Sequence, residues 1–155
     1  MTTAIGKPAP AFDLPATGDQ QINLSDLKGQ KVVLYFYPRD ATPGCTTESQ
    51  DFRDASKAFS KANTVILGVS QDTIASHEKF KAKQSMPFEL LSDESGEMCK
   101  QYDVIKLKKM YGKEFEGIER STFLIDEKGK LRQEWRKVKV PGHVDEVLAA
   151  VTNLD

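Results

Sequence analysis

Apolar and polar positions follow two rhythms along this chain. Residues 31–37, KVVLYFY, form an unbroken β-branched and aromatic run between Gly29 and Pro38, which predicts a buried strand, central in its sheet. After it the period lengthens: Thr42 can cap a helix, Pro43 suits its first position, and Phe52, Ala55 and Phe59 recur on one face until about Lys61 to Asn63. Residues 64–70, TVILGVS, predict a second apolar strand, and the segment from Thr73, TIASHEKFKAKQ, a second helix anchored by Ile74 and Phe80.

Beyond Met86 and Pro87, the run FELLSD is followed by a short helix expected over Ser95 to Tyr102, with capping oxygens on Asp93 and Ser95. Alternation from Ser121, turn residues over Asp126 to Gly129 and a return from Leu131 to Trp135 predict a hairpin. Val144, Val147, Leu148, Val151 and Leu154 then share one stripe, so an amphipathic helix over 143–154 closes the chain. A βαβ half followed by a ββα half implies an α/β fold, a central mixed β-sheet flanked by helices, and a thioredoxin-like layout fits that order. At 155 residues, without repeats or linker-like breaks, the chain 1–155 is expected to be a single domain.

Charge narrows the function. Lys and Arg total 22 against 23 Asp and Glu, a formal net charge of −1, so nothing in the overall balance favours nucleic acid or an anionic membrane. Residues 1–15 have no apolar stretch behind basic residues, and no run approaches the ~18 apolar residues of a membrane span, so a cytoplasmic setting is expected. Two cysteines, Cys45 and Cys99, are too few for a disulfide framework and suit a compartment where thiols stay reduced. His77 and His143 stand in no ligand-spaced motif, and no metal site is expected.

The informative stretch is YFYPRDATPGCTTES, residues 35–49. It delivers Cys45 into the first turn of a helix, where unpaired N–H groups and the positive end of the helix dipole favour a thiolate over a thiol. Cys45, Phe52 and Phe59 recur every seventh position, which puts the sulfur on the buried stripe. Packing alone is the bland account of a cysteine, and it suffices for Cys99, in a mid-helix slot beside Met98 and Tyr102. It explains less at Cys45, which follows Thr-Pro-Gly, with Gly44 leaving room for a small substrate. Thr42 is either a plain cap or a hydroxyl that donates to and accepts from a bound oxygen. Pro38 ends the strand, and its ring can also screen the thiolate from water.

The spacing P-x-x-x-T-x-x-C, here Pro38, Thr42 and Cys45, resembles the peroxiredoxin motif, and the longer string is similar to the bacterioferritin comigratory protein branch, PrxQ. The resemblance extends to GKPAPAFDLPATGDQQINLSDLKGQ, LLSDESGEMCKQYDV and KMYGKEFEGIERSTFLIDEKGKL, nearly the whole chain. It implies a cofactor-free thiol peroxidase. Cys45 thiolate attacks a peroxide oxygen of hydrogen peroxide or an organic hydroperoxide and becomes a sulfenic acid; Thr42 orients the peroxide, and Arg120, in GIERSTFLID, stabilises the shifting charge. Nothing in composition or periodicity singles out Arg120. Glu48 matches an arginine-orienting position in such proteins, while a solvated helix-face carboxylate is the alternative.

Many such proteins carry a resolving cysteine five residues after the first, a position held here by Gln50. Cys99 is the other thiol in the chain, and as resolver it needs its Cα within about 7 Å of that of Cys45, or local unfolding. The preferred expectation is one-cysteine-like turnover, in which an external thiol reductant, thioredoxin or glutathione/glutaredoxin, attacks the sulfenic acid. The branch also implies a monomer. A non-catalytic redox sensor or interaction module using the same sulfenic acid is the rival reading; a thioredoxin-type disulfide reductase is weaker, because C-x-x-C is absent. Lys106, Lys108, Lys109 and Lys113 read as a solvated loop, with a docking surface for an acidic reductase as the alternative.

Overall fold

A computed structural model describes residues 3–154. In chain order its elements are β1 (Asp13–Ala16), β2 (Gln20–Asn23), a 3-10 turn (Leu24–Leu27), β3 (Lys31–Phe36), α1 (Pro43–Lys61), β4 (Thr64–Ser70), α2 (Ile74–Gln84), β5 (Glu89–Ser92), α3 (Glu97–Gln101), β6 (Ile105–Met110), β7 (Lys113–Ile118), β8 (Ser121–Ile125), β9 (Leu131–Trp135) and α4 (His143–Thr152). Seven strands form one mixed sheet in the order β2-β1-β5-β4-β3-β8-β9. β3, β4 and β5 run parallel, as two strand-helix-strand crossovers require, and β8 lies antiparallel to β3 on its other side.

The sheet separates two apolar cores. On one face Val32, Leu34 and Phe36 pack with Leu67, Met98, Cys99, Tyr102 and Phe123; on the other Val33, Tyr35 and Tyr37 pack with Cys45, Phe52, Phe59, Phe80 and Val147. This is the period-two alternation of a strand buried on both sides, and it accounts for the unbroken apolar run of β3. Tyr35 stacks on Phe52 at 4.6 Å between ring centroids, fastening α1 to the sheet. Burying one such side chain contributes about 1.5–3 kcal/mol.

The strands and helices expected from periodicity are present, with ends shifted by a few residues. The 95–102 helix shortens to Glu97–Gln101: Asp93 supplies the cap, its carboxylate accepting the Met98 and Cys99 amides at 3.2 and 2.8 Å, while Ser95 accepts from Glu97 at 3.3 Å. β1 and β2 have no counterpart in the sequence reading, since Pro15 and the polar Gln20 and Gln21 obscure alternation in four-residue strands. The lysine-rich segment is not a loop. Lys106, Lys108, Lys109 and Lys113 belong to the β6–β7 ribbon, where Lys109 pairs with Glu114 at 3.5 Å. A lysine's long apolar stem can cover a two-stranded ribbon while its ammonium reaches water or an acceptor, so charge there does not exclude strand.

Candidate active site

β3 ends at Phe36, and a six-residue loop, residues 37–42, turns the chain into α1. Ala41 adopts a left-handed backbone, φ +63°, and Thr42 takes the N-cap position in extended geometry. Thr42 does not cap with its side chain, contrary to expectation. Its hydroxyl donates to the Arg39 carbonyl at 2.8 Å, and the first intrahelical bond runs from the Thr46 amide to the Thr42 carbonyl. The Gly44 and Cys45 amides, in the first turn, are therefore left without a helical partner or a side-chain cap. The Thr42 proton is committed to Arg39, so toward any further partner this hydroxyl accepts.

Cys45 is 1% exposed, with its sulfur on the inner stripe of α1 as its spacing from Phe52 and Phe59 implies. Arg120 reaches it from the segment before β8. The antiparallel register sets Ser121 opposite Phe36, so the residue preceding β8 arrives beside the end of β3. Nη2 of Arg120 donates to Cys45 Sγ at 3.3 Å and Nη1 to Glu48 Oε1 at 2.6 Å, so one guanidinium spans both groups. A Cβ at Gly44 would lie 3.2 Å from that Nη2, a tight contact that would press on the guanidinium. Burial works against the Arg120 charge, but Glu48 and Cys45 outweigh it and hold the guanidinium firmly protonated.

Glu48 is fully buried, one helical turn after Cys45, which excludes a solvated helix-face carboxylate. Among the described residues its Oε2 has no hydrogen-bond partner. Burial pushes its carboxyl up to about 7 against the opposing pull of Arg120. Pro38 ends β3 and is exposed, and Thr42 is half-buried at the loop.

Cys99 is not brought to this site. It lies in the core on the other face of the sheet, wholly buried, and burial followed by the Asp93 carboxylate pushes its thiol far up. Gln50 donates instead to Gln84 Oε1 at 2.8 Å, tying α1 to α2. Lys108 is a neighbour that sequence reasoning missed: its ammonium donates to the Ile118 carbonyl at 2.5 Å, two residues before Arg120, and burial followed by the nearby guanidinium lowers its pKa. Alternation within β6 would have put Lys108 on the opposite face from Lys109, but only once the segment was known to be a strand.

Residues 5–134 match the AhpC/TSA family. The chain is 51% identical over 154 residues to peroxiredoxin Bcp of Bacillus subtilis, covering 99% of this chain and 98% of that protein. It superposes with a TM-score of 0.89 on the bacterioferritin comigratory protein of Xanthomonas campestris, at 48% identity over 96% of each chain; that structural work concerns alkyl peroxide reduction. A variant of PrxQ from Xylella fastidiosa aligns with a TM-score of 0.91 at 44% identity, over 96% of this chain and 95% of that one.

Proposed function

The chain belongs to the AhpC/TSA family and, within it, to the Bcp/PrxQ peroxiredoxins, and on that premise we propose that Cys45 is the cysteine that attacks peroxide, with Thr42 and Arg120 acting on the reacting atoms. The protein is a thiol-dependent peroxidase with a thioredoxin-like fold, and it works through a cysteine sulfenic acid. The observation that carries the site assignment is the Arg120 guanidinium joining Cys45 Sγ to Glu48.

The reaction balances without a cofactor. The Cys45 thiolate forms a bond to the distal peroxide oxygen as the O–O bond breaks. Sulfur is oxidised by two electrons, the leaving oxygen departs as alkoxide or hydroxide, and a proton completes the alcohol or water. Arg120 and the open Gly44 and Cys45 amides face the developing negative charge, while the Thr42 lone pairs accept the peroxide hydrogen and set the line of attack. Ionising the thiol alone does not suffice, because nucleophilicity falls with basicity (Brønsted slope roughly 0.4–0.5), so the rate depends on stabilising the transition state. Pro38 sets where the strand stops, and Glu48 aims the guanidinium.

We read the oxidised enzyme as reduced by an external thiol, thioredoxin or glutathione/glutaredoxin, supported by Gln50 at the intrahelical position and by Cys99 on the far face. The first thiol forms a mixed disulfide and releases water; the second regenerates Cys45 and leaves oxidised donor. Hydrogen peroxide and alkyl hydroperoxides are the substrates proposed. A monomer is the state that the resemblance to the Bcp/PrxQ branch implies, and the two cores pack on one sheet, in keeping with a single domain. Two free cysteines suit a cytoplasmic setting, and among the described residues no helix is long and apolar enough to cross a membrane.

Rapid mixing of the reduced protein with hydrogen peroxide tests the assignment. A second-order rate far above that of free cysteine, lost in Cys45→Ser, supports it; a rate no better than free cysteine removes it. Continued turnover with a thiol donor separates the enzyme from a sensor that oxidises once.

A further inference from the structure

A buried polar cluster underlies the loop between β3 and α1. Asp40 is 7% exposed and its carboxylate is fully engaged: Oδ1 accepts from Tyr37 Oη at 2.6 Å, and Oδ2 accepts from Ser76 Oγ at 2.8 Å and lies 2.7 Å from His77 Nδ1. Its amide donates to Asp72 Oδ2 at 2.8 Å, and the Ser70 hydroxyl donates to the same oxygen at 2.5 Å. His77 is wholly buried, with Nε2 2.9 Å from the Leu91 carbonyl of β5. Ligand atoms of Asp40, Asp72 and His77 fall within 4.8 Å of one another, but the hydroxyl and amide protons that fill the carboxylate lone pairs oppose a cation there.

Both ring nitrogens of His77 face oxygen acceptors. The Asp40 contact and the Leu91 contact therefore hold the ring from both sides. Removing either partner would leave a buried polar group without its hydrogen bond, which is costly.

The cluster secures the residue next to a strained one. Ala41, at φ +63°, holds a backbone that an L side chain rarely adopts, and it is bracketed by Asp40 on one side and Thr42 on the other. That turn sets Thr42 at the helix start and leaves the Gly44 and Cys45 amides pointing out of the first turn.

We propose that Asp40 and His77 are positioning residues for the peroxide reaction: their buried hydrogen-bonded pair latches the Pro38–Thr42 loop to α2 and β5 and holds Ala41 in the turn that presents Thr42 and the first-turn amides to the substrate. The latch rests on the reading of Cys45 as the peroxide-reactive cysteine and extends it to residues that never touch the peroxide.

The test is stopped-flow oxidation of reduced wild type, Asp40→Asn, His77→Asn and Ser76→Ala by hydrogen peroxide, run beside alkylation of Cys45 by iodoacetamide. The peroxide rate is expected to fall roughly tenfold or more in Asp40→Asn and His77→Asn, and about threefold in Ser76→Ala, which removes one half-buried donor and spares the core. Alkylation, which needs the thiol but not the oriented peroxide, stays within about twofold. Adding Ala41→Gly to His77→Asn recovers part of the loss, because glycine holds a positive φ without strain. Wild-type peroxide rates in Ser76→Ala and in whichever of the other two variants folds would overturn the latch, as would equal losses in both reactions. A wild-type protein that peroxide does not oxidise at Cys45 would overturn the underlying reading instead.

Discussion

Cys45 and Cys99 lie on opposite faces of the central sheet, Cys45 against Tyr35 and Phe52 and Cys99 against Phe36 and Tyr102. A disulfide between them would require one thiol to leave its core, and burial far raises the Cys99 thiol, so it supplies little thiolate. Cys99→Ser is therefore expected to keep peroxidase turnover with an external donor within about twofold of wild type, apart from a modest loss of stability at a buried site. A collapse of turnover, with the peroxide step intact, would assign Cys99 the resolving role.

The guanidinium of Arg120 donates to two acceptors at once, and lysine cannot reproduce that fork. Arg120→Ala is expected to lower the second-order rate with peroxide roughly a hundredfold or more, in line with losing an oriented donor at a developing charge. Arg120→Lys should restore only a small part. Near-complete recovery by lysine would mean that charge alone, without geometry, is what the site uses.

Thr42 has its proton on Arg39 and its lone pairs free, so its contribution is as an acceptor. Thr42→Ser should stay within a few-fold of wild type, while Thr42→Val loses about tenfold or more in the peroxide step. Equal rates for Val and Ser would remove the hydroxyl from the mechanism.

Glu48 carries a pH signature. Its carboxyl titrates at about 7 in the folded protein against an ordinary 4.5, because burial penalises the charge more than Arg120 compensates. The folded state binds the proton more tightly than the unfolded chain. The resulting stability is fully present below about pH 4.5, is lost as pH rises through 7, and is gone above it. Glu48→Gln lacks this titration, so the stability of wild type relative to Glu48→Gln should decline between pH 4.5 and 8 in urea unfolding. A difference independent of pH over that range would contradict the buried, high-lying carboxyl.

The elements legible in the sequence are those whose burial is two-sided or whose stripe is long. β3 and β4 announce themselves as apolar runs, α1 and α4 by their repeating faces, and β8 and β9 by the turn between them. β1, β2 and the β6–β7 ribbon escape because they are short, interrupted by Pro15, or rich in lysine. At the site, Cys45 and Thr42 are local to one turn and readable from spacing. Arg120 is not: it reaches Cys45 from 75 positions away through the pairing of Phe36 with Ser121, and a register of that kind leaves no local trace. The family resemblance supplied what periodicity lacks. Asp40 and His77 were beyond reach for the same reason, their contact resting on how α2 seats against the end of β3.

The most direct measurement is intact-protein mass spectrometry of the reduced protein after one equivalent of hydrogen peroxide, in wild type, Cys45→Ser and Cys99→Ser. The account predicts the gain of one oxygen atom on Cys45 in wild type and in Cys99→Ser, reversed by added thiol, and no change in Cys45→Ser. Loss of two hydrogens in wild type, or oxidation persisting in Cys45→Ser, would contradict it.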